Sequence, residues 1–565
     1  MYAVETTFGQ CYKQMMSKRY SSISQRLWGF SFGQLMVSMI SNLYYVVLMA
    51  WSVSYFFLSF QTPLPWKKTT NFLDVAVDPL ESEESSADLA NEFFNEAFFS
   101  DKLLQKTSSI SESGGIVPLV FASLFVSYVL VYFSVWKGVE STGKIVYVTA
   151  ILPYALMIIL LLRGLSLEGA WSGISYLFYP DFSKLGTFTV WYDAVNQILF
   201  SSGIAFGPLV FYGSCRQPSE RIMKSSVCLP LINSFTSLLS ACVLFAFLGH
   251  VSTTLGIEIQ DIQIEGIELA FVAYPAMLTM LPGSNIWSVV FFIMLVTVGI
   301  DSIFGTFDYM QNFLLTEFPV LKRKIRKEYF ALILVVGYFT CGIMFTFKQG
   351  FYIFEIFDHY SVGLPVLFLF TCEVYILGWK FSMSRLNELL MANTGESFTT
   401  FHILNVKYLL LAIMITTTAA GFVMELSNPL ELPWWAFSFG WILMAAPIIL
   451  SLVGLCVPKR RLLGKLGKYC AKEIDQYGKV IPSEQLEYNF KGLCCAGERE
   501  ELKEASFDVR NAELEAQEAN VKELELVESP AKHLKGGHST PTAAAPIEVL
   551  DVELEVEGDS NDNKI

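Results

Sequence analysis

The chain has 565 residues, of which 53% are hydrophobic and 16% charged, and it carries a formal net charge of −14 with a mean hydropathy of +0.45. Soluble domains average about 25% charged residues, so a string of soluble domains is excluded, and the absence of a basic stripe interleaved with aromatic residues excludes a nucleic-acid partner. The acidic excess gathers after residue 497, and the 10 cysteines lack paired CxxC spacing, which argues against a zinc site or a disulfide framework.

In chain order, Met1 to Gln10 contains Glu5 and lacks the continuous apolar stretch of a cleavable signal, so the first long span is expected to direct insertion. Apolar runs of about 20 residues predict ten transmembrane helices near 29–60, 115–136, 143–163, 189–213, 228–256, 286–313, 328–347, 351–378, 405–425 and 433–457. Lys and Arg occupy alternate short loops: Lys13, Lys18, Arg19 and Arg26 before the first span, Lys137 with Lys144, Arg216 with Arg221 and Lys224, Lys322 to Lys327, and Arg460 with Arg461. The positive-inside bias puts that side, with both termini, in the cytoplasm. Residues 1–28 then form a cytoplasmic segment, 29–457 the transmembrane domain, 61–114 an extracellular loop and 458–565 a cytoplasmic acidic tail.

Phe93, Phe94, Phe98 and Phe99, set among Glu and Asn, suggest a short amphipathic helix on the outer surface. No N-x-S/T sequon occurs, so N-glycosylation is not expected. Near the last span, Cys494 and Cys495 read either as palmitoylation sites or as ordinary thiols. Residues 497–527 have the composition of a solvated helix, and the chain after 528 that of a disordered tail.

Enzyme chemistry finds little support. Gly29-Phe30-Ser31-Phe32-Gly33 matches GxSxG formally, but the nucleophile elbow needs a strand, a turn and a partner His, and here the motif opens an apolar helix. Gly29 and Gly33, four apart, are expected to admit a neighbouring helix. His250 and His359 lack a second ligand at metal spacing. No catalytic residue and no cofactor is assigned.

Polar groups within the spans are the functional candidates, because hydrocarbon makes them costly. The fourth span runs from Asn196 and Gln197 through Ser201, Ser202 and Gly203 to Gly207 and Pro208. Small residues and Pro weaken the helical ladder there, and carbonyls freed by a break would need partners such as a cation. Asn233, Ser234, Thr236 and Ser237 follow in the next span, and Asp301 with Ser302 in the one after; such oxygen ligands suit hard monovalent ions. Asp308, Glu355, Asp358 and Glu373 are further carboxylates near or within spans, and Glu373 reads rather as hydrogen-bonded structure than as a ligand.

Five motifs in order carry a family resemblance: Tyr44-Tyr45-Val46-Val47-Leu48-Met49-Ala50-Trp51, Trp136-Lys137-Gly138-Val139 with Ser141-Thr142-Gly143-Lys144, Phe271-Val272-Ala273-Tyr274-Pro275, Gly299-Ile300-Asp301-Ser302, and Pro433-Trp434-Trp435. From about residue 2 to 460 the chain resembles the neurotransmitter sodium symporters. The resemblance implies an all-α polytopic membrane protein, an inverted-repeat bundle around a midplane site made by broken helices. The spans match family helices three to twelve and Tyr2 to Gln10 the end of helix two, so the chain is expected to be truncated at its N-terminus to about ten helices.

By the same resemblance, Ser201 and Asn233 contribute to a first sodium site, and the Val298 carbonyl with Asp301 and Ser302 to a second. Gln197, Ser201, Asn233 and Ser237 match chloride contacts; a neutral Ser237 favours chloride dependence, since a negative charge offsets sodium in a low-dielectric site. Tyr45, Phe200, Phe206 and Asp358 match substrate-binding and gate positions. The implied function is sodium-coupled, chloride-dependent symport of an amino acid or related amine, in a lipid bilayer and at the plasma membrane, with Na+ and Cl− as coupled ions and oligomeric assembly left open. The alternatives are a truncated, non-transporting membrane protein acting as assembly partner or regulator, an incomplete gene model of the symporter, or an unrelated channel or transporter.

Overall fold

The computed structural model describes residues 1–457 except 13–19, 22, 68–97, 113, 138, 263–265, 428 and 431. Phe93, Phe94, Cys494, Cys495 and the acidic tail lie outside the described residues. Among the described residues there is no strand beyond one isolated bridge between Ile116 and Phe347, as expected where every backbone group must be satisfied within its own segment.

Nine helices among the described residues are long and apolar enough to cross a membrane. The first is α2 (Trp28–Leu58), which follows a short α1 (Tyr2–Cys11). Its 31 residues rise about 46 Å, more than the ~30 Å of hydrocarbon, so it tilts or projects. It packs against α3 (Pro118–Val135), α10 (Ser284–Glu317), α12 (Gly350–Ser361) and α16 (Trp434–Cys456). Its polar residues Ser31, Gln34, Ser38, Asn42, Ser52 and Ser54 are all buried, because protein and not lipid supplies their partners; the Ser54 hydroxyl, for example, donates to Ser123 Oγ at 2.8 Å.

The Gly29/Gly33 spacing does admit a helix. A Cβ at Gly29 would lie 2.6 Å from the Leu450 carbonyl oxygen and 2.7 Å from Gly454 Cα, so α2 and α16 touch backbone to backbone. The GxSxG residues lie at the start of this continuous helix, which has none of the strand-turn-helix geometry of an elbow.

The remaining described helices of eight residues or more are α4 (Val139–Leu165), α5 (Ala170–Phe178), α6 (Phe188–Ser202), α7 (Pro208–Cys215), α8 (Met223–Leu255), α9 (Gly266–Thr279), α11 (Lys327–Thr346), α13 (Gly363–Tyr375), α14 (Met383–Thr394) and α15 (Thr400–Ser427). The segment expected as one span over 189–213 is thus two short helices, α6 and α7.

On the face expected to be extracellular, an aromatic cluster surrounds Trp51, which is fully buried against Phe99, Phe271, Phe351 and Phe354. Phe99 and Phe271 stack at 5.5 Å. A short helical turn over Phe98–Leu103 does form, with Asp101 and Lys102 exposed and Phe99 and Leu103 buried, so its apolar side packs into the protein core: the Phe99 ring is 3% exposed.

Candidate functional site

The site is organised by the interruption between α6 and α7. Gly203 ends α6 in a left-handed conformation (φ 63°), Ala205 also has positive φ (69°), and Gly207 (φ 102°) precedes Pro208 at the first position of α7. Pro supplies no N–H to continue the ladder, and an alanine held left-handed costs roughly 1–2 kcal/mol. Contacts from three other helices offset that cost. Glu5 Oε1 accepts the Ala205 N–H at 3.1 Å, the Ser38 hydroxyl donates to the Phe206 carbonyl at 2.6 Å, and the Tyr309 ring leaves no room at Gly207, where a Cβ would lie 2.4 Å from Oη.

Helix α1 fastens this unit further. A Cβ at Gly9 would meet the Val210 carbonyl at 2.1 Å, and the Gln10 amide donates to the carbonyls of Gln217 at 2.5 Å and Glu220 at 2.8 Å. The break is thereby fixed in place, with polar backbone exposed only where the fold has arranged it.

Beside the break, Asn233 Nδ2 donates to Ser201 Oγ at 2.5 Å, bringing α8 to α6. The Ser237 hydroxyl donates to the Asn233 carbonyl at 3.2 Å, one turn further along α8, and Thr236 pairs with Tyr154 at 2.7 Å. Gln197 sits on the exposed side of α6. Of the four residues expected to contact chloride, Ser201 and Asn233 are thus joined side chain to side chain, while Ser237 bonds its own helix backbone.

Val298, Asp301 and Ser302 lie on α10 at the i, i+3, i+4 spacing that puts residues on one helical face. Val298 and Ser302 are exposed and Asp301 half-buried. Asp301 Oδ1 accepts a hydrogen bond from the Thr149 hydroxyl on α4.

A cavity of about 240 Å³ lies between α2, α6 and the α12/α13 junction, lined by Tyr44, Asn196, Leu199, Phe200, Asp358 and Val362, among others. Tyr44 and Asp358 thus line the same space. Phe200 and Phe206 meet edge to face at 6.3 Å. Phe200 and Asp358 therefore share one cavity, while Tyr45 and Phe206 lie outside its lining.

Sequence reasoning missed Tyr44, Thr149, Glu5 and Ser38 as site residues, whereas Asn196, a polar candidate of the fourth span, does line the cavity. Polarity was a usable signal at Glu5 and Ser38, since a carboxylate and a hydroxyl in apolar helices require partners. Glu373 accepts from Tyr20 at 2.7 Å and from Gln34 at 3.1 Å, the hydrogen-bonded structure expected of it. His250 Nδ1 lies 2.9 Å from the Glu168 carbonyl and His359 Nε2 3.1 Å from Glu425, so both tie helix ends to neighbours.

Among the described residues, an all-helical bundle of apolar spans with a clamped break that gathers hydroxyl, amide and carboxylate groups has the organisation of a secondary transporter. Comparison with known proteins gives the family: the sodium:neurotransmitter symporter family model matches residues 1–460, and the chain belongs to that family of sodium-coupled membrane transporters. It is 30% identical over 483 residues to the sodium- and chloride-dependent GABA transporter 2 of Rattus norvegicus, covering 81% of this chain and 77% of the relative. It is 31% identical over 464 residues to the sodium-dependent serotonin transporter of Drosophila melanogaster, covering 81% and 73%. The Homo sapiens GABA transporter 2 is 29% identical over 501 residues, covering 86% and 81%. These relatives are transporters, and the chain is an integral membrane protein.

Proposed function

We propose that the chain is a symporter that couples sodium, with chloride, to uptake of an amino acid or related amine across the plasma membrane, with both termini cytoplasmic. The observation that supports this most directly is the clamped break between Ser202 and Pro208 with Ser201 and Asn233 bonded beside it. A fixed break sets backbone carbonyls next to neutral oxygen donors, which is the ligand chemistry of a hard monovalent cation. Sodium dependence is also common to the names of the GABA and serotonin transporters described above.

One sodium ion takes oxygens of Ser201 and Asn233, and a second takes the Val298 carbonyl with the side-chain oxygens of Asp301 and Ser302. Gln197, Ser201, Asn233 and Ser237 donate to chloride, whose charge offsets the cations where the dielectric is low. Tyr45 closes over the substrate, Phe200 is its aromatic lid, Phe206 forms a wall of the pocket, and the Asp358 carboxylate is the acid of the outer gate. Ions and substrate bind the outward-facing arrangement more tightly than the inward-facing one, and that difference drives alternating access.

The test is uptake into proteoliposomes of a radiolabelled panel of amino acids and amines, comparing sodium with choline and chloride with gluconate. Concentrative uptake of at least one compound that needs sodium and falls in gluconate is the expected result. If no compound accumulates above protein-free vesicles, or if choline serves as well as sodium, the proposal fails.

A further inference from the structure

Two threonines on α4 each donate to an aspartate on α10. Thr149 bonds Asp301 Oδ1, and Thr142 bonds Asp308 Oδ2 at 2.7 Å. The partners are seven residues apart on both helices and run in opposite order, so the helices are antiparallel and the contacts recur about 10.5 Å along the axis. The two contacts differ in surroundings. Thr142 and Asp308 are buried, whereas Thr149 and Asp301 are half-buried and adjoin the exposed Ser302.

A helical threonine usually sends its hydroxyl to the carbonyl four residues back. Thr149 Oγ1 has that carbonyl, of Ile145, at 3.2 Å but lies closer to Asp301 Oδ1, the better acceptor for its single proton. A carboxylate has about four lone-pair sites on two oxygens, so one oxygen can accept from Thr149 while the other turns to a cation. We propose that Thr149 is a positioning residue for sodium: its hydroxyl fixes the Asp301 carboxylate so that the carboxylate, Ser302 and the Val298 carbonyl converge on one cation. The assignment rests on Asp301 being a sodium ligand, as set out above. Thr149 itself does not touch the ion. Groups that hydrogen-bond a ligating carboxylate hold its orientation, and their loss typically weakens metal binding by about 10–100-fold.

The experiment measures the sodium concentration giving half-maximal thermal stabilisation of the purified full chain, with choline keeping ionic strength constant, and the same quantity for uptake. Thr149→Val, which keeps shape and removes the donor, is expected to raise it at least about 10-fold. Thr149→Ser, which keeps the hydroxyl, is expected to stay within about 2-fold of the wild type. Thr142→Val, which removes the companion contact, is expected to leave sodium half-saturation unchanged even if it lowers the melting temperature. Should Thr149→Val not be recovered folded, Thr149→Ala against Thr149→Ser makes the same comparison.

An unshifted Thr149→Val beside a strongly shifted Asp301→Ala overturns the inference and leaves Asp301 as a ligand. An equal rise for Thr142→Val and Thr149→Val also overturns it, because helix packing would then explain both. If Asp301→Ala itself leaves sodium half-saturation unchanged, the underlying sodium assignment fails with it.

Discussion

Glu5 and Ala205, 200 positions apart in sequence, meet through a 3.1 Å hydrogen bond from the Ala205 N–H to Glu5 Oε1. The bond joins α1 to the one non-glycine residue of the break that holds a positive φ. Removing the acceptor strands a buried N–H, at a cost of about 1–3 kcal/mol. Glu5→Ala is therefore expected to lower the melting temperature of the detergent-solubilised protein, while Glu5→Gln, which retains a carbonyl acceptor, loses less. Equal melting temperatures for the wild type and Glu5→Ala would rule out this clamp.

The two glycines of the break should respond differently to alanine. At Gly203 an added methyl meets nothing within 4 Å, so only the left-handed backbone is penalised, by roughly 1–2 kcal/mol. At Gly207 the methyl also collides with Tyr309. Gly207→Ala is expected to be the more destabilised of the two in a thermal melt, and its uptake to fall further at equal protein. Combined with Tyr309→Ala, which is itself destabilising because the ring is buried, Gly207→Ala should cost less than it does alone, whereas the cost of Gly203→Ala should add in full.

Ser237 offers a test of anion dependence. A carboxylate there would place a fixed negative charge where chloride's is needed. Ser237→Asp is expected to retain sodium-driven uptake when chloride is replaced by gluconate, with the wild type losing most of its uptake. Identical chloride dependence in both proteins would remove Ser237 from the anion site.

Close packing of α2 on α16 predicts a steep size limit at Gly29, where even a Cβ would approach the Leu450 carbonyl and Gly454 to under 3 Å. Gly29→Val is expected to reduce the yield of monodisperse protein severely in size-exclusion chromatography, by forcing two backbones apart. Gly363→Val, at a site with nothing within 4 Å, is the control and should be tolerated far better.

What the chain discloses before folding depends on range. The apolar runs make the helices legible because lipid permits few alternatives, and the Gly29/Gly33 spacing points to a close crossing because small residues let helices meet. The weakness at 201–208 is visible in its Ser, Gly and Pro content, but not the geometry of the break, where Glu5, Ser38 and Tyr309 from three other helices meet Ala205, Phe206 and Gly207 in turn. Thr149 hides for a related reason: a threonine in an apolar helix ordinarily satisfies itself locally, so only the register of α4 on α10 shows that it faces Asp301. Tyr44 was overshadowed by its neighbour Tyr45. On a helix, adjacent residues point about 100° apart, so a two-tyrosine motif cannot tell which ring enters the cavity.

Phe99 is a plug hammered into place between Trp51 and Phe271. For protein engineering, this divides the connection between α2 and α3 into ground that can and cannot be disturbed. An epitope or fluorescent tag spliced at residues 98–104 would have to pull that plug and the buried Leu103 and Leu104 with it. Labels meant to report on the protein without wounding it belong elsewhere.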